Sequence, residues 1–214
     1  MRDFPIFATE NGVSSLLLRE IPYRRTAYIR VGSASVTDFS AHLKECMDFC
    51  RAAGAECIFA EGHSALERFP RHSEIVKMQG RAWTDPEKVA QLFPVTQTTA
   101  AIWRRLYNDR MARVDHARTL EIRDEKELAE GVGAYFVHRE GQLLGIGWLD
   151  GSTLLAMAAT VPGAGETVMH TMMSLTEGEN MKLEVASTNA KAIALYEKLG
   201  FCKTGILRRW YQIL

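Results

Sequence analysis

Residues 26–33 alternate Ala27, Ile29 and Val31 with Tyr28 and Arg30, the period of two that predicts a strand. From residue 38 the spacing becomes helical: Phe39, Leu43, Cys46, Met47 and Cys50 recur on one face as far as Ala53, and Gly54 ends the run. Upstream, the apolar runs 4–8 and 13–21 flank Glu10, Asn11 and Gly12 as the arms of a hairpin would, and Pro22 then breaks the pattern. Downstream, residues 56–60 predict a strand, 63–69 a short helix before Pro70, and 74–79 another strand. Residues 81–88, with Trp83, Asp85 and Pro86, have the composition of a linker.

Beyond that break, 89–93 predicts a short strand and 98–114 a helix with Trp103, Leu106, Tyr107, Arg110 and Val114 on one face. A short helix at 125–130 precedes a hairpin of 134–139 and 143–149 around Glu140, Gly141 and Gln142. Residues 153–161 are continuously apolar, which predicts a central strand buried on both faces. Pro162, Gly163, Ala164 and Gly165 then make a tight loop, and 166–175 carries Val168, Met172 and Leu175 on one side of a helix.

The stretch 181–205 reads MKLEVASTNAKAIALYEKLGFCKTG. It predicts a strand at 182–186, a polar break at Ser187, Thr188 and Asn189, a helix ending at Gly200, and a strand from Phe201, with a last strand over 207–214. Asn189 suits the N-cap, where its side chain accepts from an otherwise unpaired N–H, and Gly200 suits the left-handed position after the last turn. Ala192, Leu195, Tyr196 and Leu199 form one apolar stripe, while Lys191, Glu197 and Lys198 point to water.

Composition removes several function classes. Lys plus Arg equals Asp plus Glu at 26 each, so bulk charge suggests neither a nucleic acid nor a membrane partner. With 47% hydrophobic and 24% charged residues, the chain reads as an ordinary globular protein. MRDFPIF lacks the apolar core of a signal peptide, and no apolar run approaches the roughly 20 residues a membrane helix needs, so a cytoplasmic location is expected. Four cysteines without paired C-x-x-C spacing are read as free thiols. His42, Cys46 and Cys50, at i, i+4 and i+8 with Cys57 on the next strand, invite a metal; because that stripe is also the apolar face, a core role is preferred and no metal is expected. Arg104, Arg105, Arg110, Arg113 and Arg118 make one region locally basic, read first as a solvated face and second as a site for an anionic acceptor or coenzyme phosphates.

The pattern LEVxxxNxxAIxLYxKLGFxxxG resembles the second half of the coenzyme A binding domain of the GCN5-related N-acetyltransferases, the GNAT superfamily, with Leu183, Glu184, Val185, Asn189, Ala192, Ile193, Leu195, Tyr196, Lys198, Leu199, Gly200, Phe201 and Gly205 in matching places. The resemblance implies an α/β fold, a GNAT-like mixed sheet flanked by helices. Because strand, helix, strand, short helix, strand occurs in both halves, it also implies a degenerate GNAT-like lobe at 1–80, a linker at 81–88 and the acetyltransferase domain at 89–214.

By that resemblance, acetyl-CoA is the cosubstrate. Its pyrophosphate would lie on Gly163, Ala164 and Gly165, at a helix start where N–H groups and the dipole attract anions. Its pantetheine would follow the backbone of Ala159, Thr160 and Val161, beside a strand that splays from its neighbour. Asn189 would touch the coenzyme, and Tyr196 would be the catalytic donor to the departing thiolate. The loop departs from the family pattern: Thr160 stands where an Arg or Gln is usual, the proline-to-glycine spacing is short, and Glu166 would repel a phosphate. The central strand holds no acid, and although Asp150 and Glu184 fall near it, the base stays unassigned. The expected partner is a small-molecule or peptide amine, with a homodimer left open. The rival is a GNAT-fold sensor or interaction module that binds acyl-CoA with weak turnover or none.

Overall fold

The computed structural model describes residues 5–131, 133–176 and 178–214. In chain order its strands are β1 (Ile6–Thr9), β2 (Gly12–Leu17), β3 (Thr26–Ala34), β4 (Cys57–Glu61), β5 (Arg71–Arg81), β6 (Gln91–Pro94), β7 (Ala134–Arg139), β8 (Gln142–Asp150), β9 (Thr153–Ala159), β10 (Asn180–Ala186) and β11 (Cys202–Gln212). The helices are α1 (Ile21–Arg24), α2 (Phe39–Ala52), α3 (Ala100–Met111), α4 (Glu125–Glu130), α5 (Gly165–Met173) and α6 (Ala190–Lys198). Two compact units result: Met1–Glu74 with Leu207–Leu214, and Ile75–Ile206. The sequence boundaries of 1–80 and 89–214 differ because β5 and β11 are each long single strands that the division cuts, at 74/75 and 206/207.

In the first unit β1 and β2 form the expected hairpin, antiparallel to β3; Phe4 lies outside the described residues. β3 and β4 are parallel and paired without interruption from Thr26↔Cys57 to Arg30↔Glu61. Helix α2 packs Phe39, Leu43, Cys46 and Cys50 into a core with Leu16, Ile29, Ile58 and Tyr211. His42, also fully buried, meets Ser14 Oγ through Nε2 at 2.8 Å and Thr9 Oγ1 through Nδ1 at 3.1 Å. Burial pushes the Cys50 thiol up to about 12, so the thiolate that metal binding or nucleophilic attack requires is disfavoured there.

In the second unit β7, β8 and β9 are an antiparallel meander, β6 pairs with β7, and β10 is parallel to β9 and antiparallel to β5. One face of this sheet carries α5 and α6, whose Val168, Met169, Met172, Ile193, Tyr196 and Leu199 share a core with Leu154, Leu183 and Val185. The other face carries α3 and α4, where Trp103, Tyr107 and Leu128 pack on Phe136, Ile146 and Ala158. Each fully buried large side chain contributes about 1.5–3 kcal/mol, and Trp103 also donates its ring N–H to the Tyr135 carbonyl at 3.0 Å. Helix α3 stops at Met111, short of residue 114, and Asn108 holds the chain beyond it through both the N–H and the carbonyl of Leu120.

Two further stretches bear on the site. Residues 81–88 are held down along their length: Arg81 ends β5, Ala82 is buried, Trp83 donates to the Leu199 carbonyl at 3.3 Å, and Asp85 caps one turn at Pro86–Lys88. Gly80 is required just before them, because a Cβ there would lie 2.8 Å from the Phe201 ring. The apolar run 153–161 is a strand only to Ala159 and is not buried on both faces, since Leu155 is 50% exposed. Among the described residues no helix is long and apolar enough to cross a membrane.

Candidate functional site

The register around β9 explains the exposure of Leu155. Leu149 pairs with Leu154, but Trp148 pairs with Ala156, so Leu155 is an extra residue facing no partner on β8. Such a bulge bends its strand and increases the local twist. At the same point β9 parts from β10: the two pair at Lys182↔Thr153 and Leu183↔Leu154, and the ladder ends there. β10 meanwhile stays paired with β5 over seven residues, from Asn180↔Arg81 to Ala186↔Ile75. A gap therefore opens towards the C-terminal ends of two neighbouring parallel strands.

Backbone groups on β9 divide between the two edges. Thr160 donates its N–H to Leu144 O at 2.8 Å, accepts from Arg110 Nη2 at 3.1 Å and donates its hydroxyl to Leu143 O at 2.6 Å. All three of its polar groups are thus engaged within the protein. Because successive residues of a strand face opposite edges, Ala159 turns its N–H and C=O away from β8, towards the gap. The Val161 carbonyl closes the next turn by accepting from the Ala164 N–H at 3.2 Å.

At the end of the gap Gly163 sits at φ 82°, a conformation costly for any other residue, with open space where a Cβ would be. Ala164 is the N-cap of α5 and Gly165 its first residue, so the unpaired N–H groups of the first turn face outward from the loop. Glu166 is not the bare negative charge that the sequence suggests. Its carboxylate accepts from Lys88 Nζ at 2.6 Å and Lys198 Nζ at 2.5 Å, and these two ammonium groups hold it down near 2. Lys88 also lies 3.7 Å from Asp85. His170, one turn further along α5, is fully buried and accepts from the Asp85 N–H at 3.3 Å.

Across the gap, the chain after β10 enters α6 through Asn189, whose side chain accepts from the Ala192 N–H at 3.3 Å as an N-cap does. Two turns on, Tyr196 points into the core shared with Leu154 and, at its edge, with Met157 and Val161 of the opposite wall. Burial pushes its hydroxyl up to about 12, so it stays a neutral phenol over the physiological range. The last turn of α3 and the chain after it are tied to both walls. Arg110 reaches Thr160 on one, and Asp115 accepts from the Thr188 hydroxyl at 2.7 Å on the other.

The structure thus places Ala159, Thr160, Val161, Gly163, Ala164 and Gly165 along one wall of the gap, and Asn189 and Tyr196 on the helix after the other. Sequence reasoning missed Lys88 and Asp115, which gave no local signal. Lys198 appeared in the motif only as a water-facing residue. Of the basic cluster, Arg104 pairs with Glu125 at 2.7 Å and Arg118 with Asp124 at 2.8 Å, as a structural face would.

No family model matches the chain, and no curated protein matches it. Solved structures do. A GCN5-related N-acetyltransferase from Anabaena variabilis aligns over 94% of this chain and 59% of its own at a TM-score of 0.61 and 10% identity. A conserved protein of unknown function from Staphylococcus epidermidis aligns over 99% and 94% at 0.57 and 8% identity. An acetyltransferase of the GNAT family from Colwellia psychrerythraea aligns over 97% and 84% at 0.50 and 11% identity. At such identities the likeness is one of architecture, and it is the fold of the GCN5-related N-acetyltransferases that this chain adopts.

Proposed function

We propose that the chain transfers an acetyl group from acetyl-CoA to a primary amine by direct attack, without a covalent enzyme intermediate. The observation that carries this reading is the gap between β9 and β10, opened by a bulge and ending at a glycine loop and a helix start. A pantetheine arm fits such a gap as a strand would, exchanging hydrogen bonds with the Ala159 edge, and the first turn of α5 offers N–H donors to a pyrophosphate. An N–H facing the gap would polarise the thioester carbonyl, where negative charge develops during attack. In the first unit the corresponding strands β3 and β4 are zipped over five residue pairs, so the reading confines the coenzyme to the second unit.

Tyr196 would act on the leaving group. A phenol near 12 does not hand its proton outright to a thiolate, whose conjugate acid lies near 8.5. It donates a hydrogen bond to the sulfur as charge builds there, and solvent supplies the proton. Asn189 Oδ1 is committed to the cap, which leaves its amide nitrogen for the coenzyme. The acceptor is a small-molecule or peptide amine, and the site of action is the cytoplasm.

A calorimetric titration with acetyl-CoA, followed by thiol release with a panel of amines, tests the reading. Binding with amine-dependent thiol release supports transfer. Binding without release favours the sensor, a rival supported by Thr160 standing where the loop would use an Arg or Gln.

A further inference from the structure

The proposed reaction consumes an amine, and the chain carries amines of its own. Lys44, Lys88, Lys126, Lys198 and Lys203 are each ion-paired to a carboxylate. Lys77, Lys182 and Lys191 have no ion pair among the described residues, and their places in the fold separate these three. Lys191 lies in the first turn of α6, the helix that packs on one face of the sheet. Lys77 is on β5, which β10 separates from the gap, and it stands across the ladder from Glu184, an opposite charge. Lys182 is on β10 itself, one wall of the gap.

The backbone of Lys182 is fixed from both sides. It pairs with Gln79 of β5 and Thr153 of β9, and its N–H donates to the Ser152 carbonyl at 2.9 Å. Neither paired residue carries a charge that would hold the ammonium in place. The next pair, Leu183↔Leu154, is the last before the gap. Met181, Leu183 and Val185 enter the core beneath α5 and α6, so by strand alternation Lys182 projects from the opposite face. Over β7, β8 and β9 that face is covered by α3 and α4, but Lys182 is exposed on it. Strand residues rise about 3.3 Å each, so the mouth of the gap, two positions on, is about 6.6 Å away, within the span of a four-carbon stem that leans along the strand.

We propose that Lys182 is a self-acetylation site, whose amine takes the acetyl group from acetyl-CoA held in the gap of the same chain. This rests on the acetyl-transfer reading. The Lys182 ammonium first gives one proton to solvent, and the neutral Nζ forms the C–N bond at the thioester carbon. The C–S bond breaks, the sulfur departs as a thiolate and takes a proton from solvent, and the acylated nitrogen gives up its second proton. The products are an amide on Lys182 and the free thiol of the coenzyme, with a net release of one proton per acetyl group. Lys182 loses its charge and leaves a neutral amide at the mouth of the gap.

The test incubates the full chain with acetyl-CoA and no added amine at mildly alkaline pH, and locates acetyl groups by peptide mass spectrometry. Lys182 is expected to be acetylated at least about tenfold faster than any other lysine, the advantage of a reactant held in place, at a rate that does not change when the protein is diluted. Lys182→Arg keeps the charge and should bind acetyl-CoA as the wild type does, yet take up acetyl at least about tenfold more slowly. Label spread alike over Lys77, Lys182 and Lys191, as on the urea-unfolded chain, overturns the assignment. So does a Lys182 rate that rises in proportion to protein concentration, which would mean transfer between chains. Thiol release with added amines while Lys182 stays unmodified overturns it too, and leaves the transferase reading standing. Failure to bind acetyl-CoA at all overturns that reading itself.

Discussion

Leu154 and Leu183 are the last residue pair that joins β9 to β10, and the next residue of β9, Leu155, is the one that β8 leaves without a partner. Bulge and opening thus coincide to within one residue. The strand bends away from β10 at the point where its own ladder to β8 takes up an extra residue.

Deleting Leu155 should realign β9 with β8 and let its pairing with β10 continue. We expect coenzyme affinity to fall at least about tenfold, a loss of about 1.4 kcal/mol, while the circular dichroism spectrum stays native. Undiminished binding to a folded deletion variant would show that the bulge does not make the opening.

Tyr196→Phe removes the hydroxyl but keeps the ring in its place between α6 and the sheet. Loss of one hydrogen bond to a developing thiolate should cost about 1.5–3 kcal/mol in turnover, roughly ten- to a hundredfold, with little change in acetyl-CoA affinity. The same variant has a pH signature. Because the folded hydroxyl is raised to about 12 from an ordinary value near 10, its contribution is complete below about pH 10 and is lost as pH rises to 12. Urea midpoints across that window should fall in the wild type and fall less in Tyr196→Phe.

Glu166 joins Lys88 and Lys198, so Glu166→Gln leaves two ammonium groups beside the α5 loop without their shared anion. Charge at a helix N-terminus is worth about 0.3–1 kcal/mol, so acetyl-CoA should bind about two- to fivefold more tightly. Weaker binding would mean that Glu166 places the lysines for the ligand rather than offsetting them. The carboxylate is held low, so its contribution to stability is present above about pH 4.3 and is lost as pH falls towards 2.

His42 is buried among Ser14, Thr9 and Cys46 with Glu45 nearby, and desolvation lowers its pKa. Below about pH 6.5 the unfolded chain takes up a proton that the folded site resists. Stability should therefore be full above that value and fall as the pH drops below it. Denaturant midpoints at pH 7.5 and 5.5 measure the effect; His42→Gln, which cannot be protonated, should lessen the difference.

Most of the scaffold was legible because its elements carry strong local signals. The stripe on α2, the hairpins around Asn11 and Gly141, and the Asn189 cap all form where sequence places them. The misread strand at 153–161 shows the limit. An apolar run reads the same whether a strand is buried on both faces or lines a gap, and only the register with β8 tells them apart. The Glu166 ion pairs leave no mark in the local sequence for a related reason, since Lys88 lies 78 positions away.

Residues 207–214 belong to the first unit, where Tyr211 and Gln212 pair with Ala60 and Phe59, and the Ile213 N–H donates to the Ile58 carbonyl at 2.9 Å. A ribosome therefore synthesises the whole of the second unit before it supplies the strand that completes the first. Until then the outer edge of β4 beside Ala60 and Phe59 lacks the partner it has in the finished protein. The N-terminal core of this chain is thus completed by residues made after the whole of the second unit.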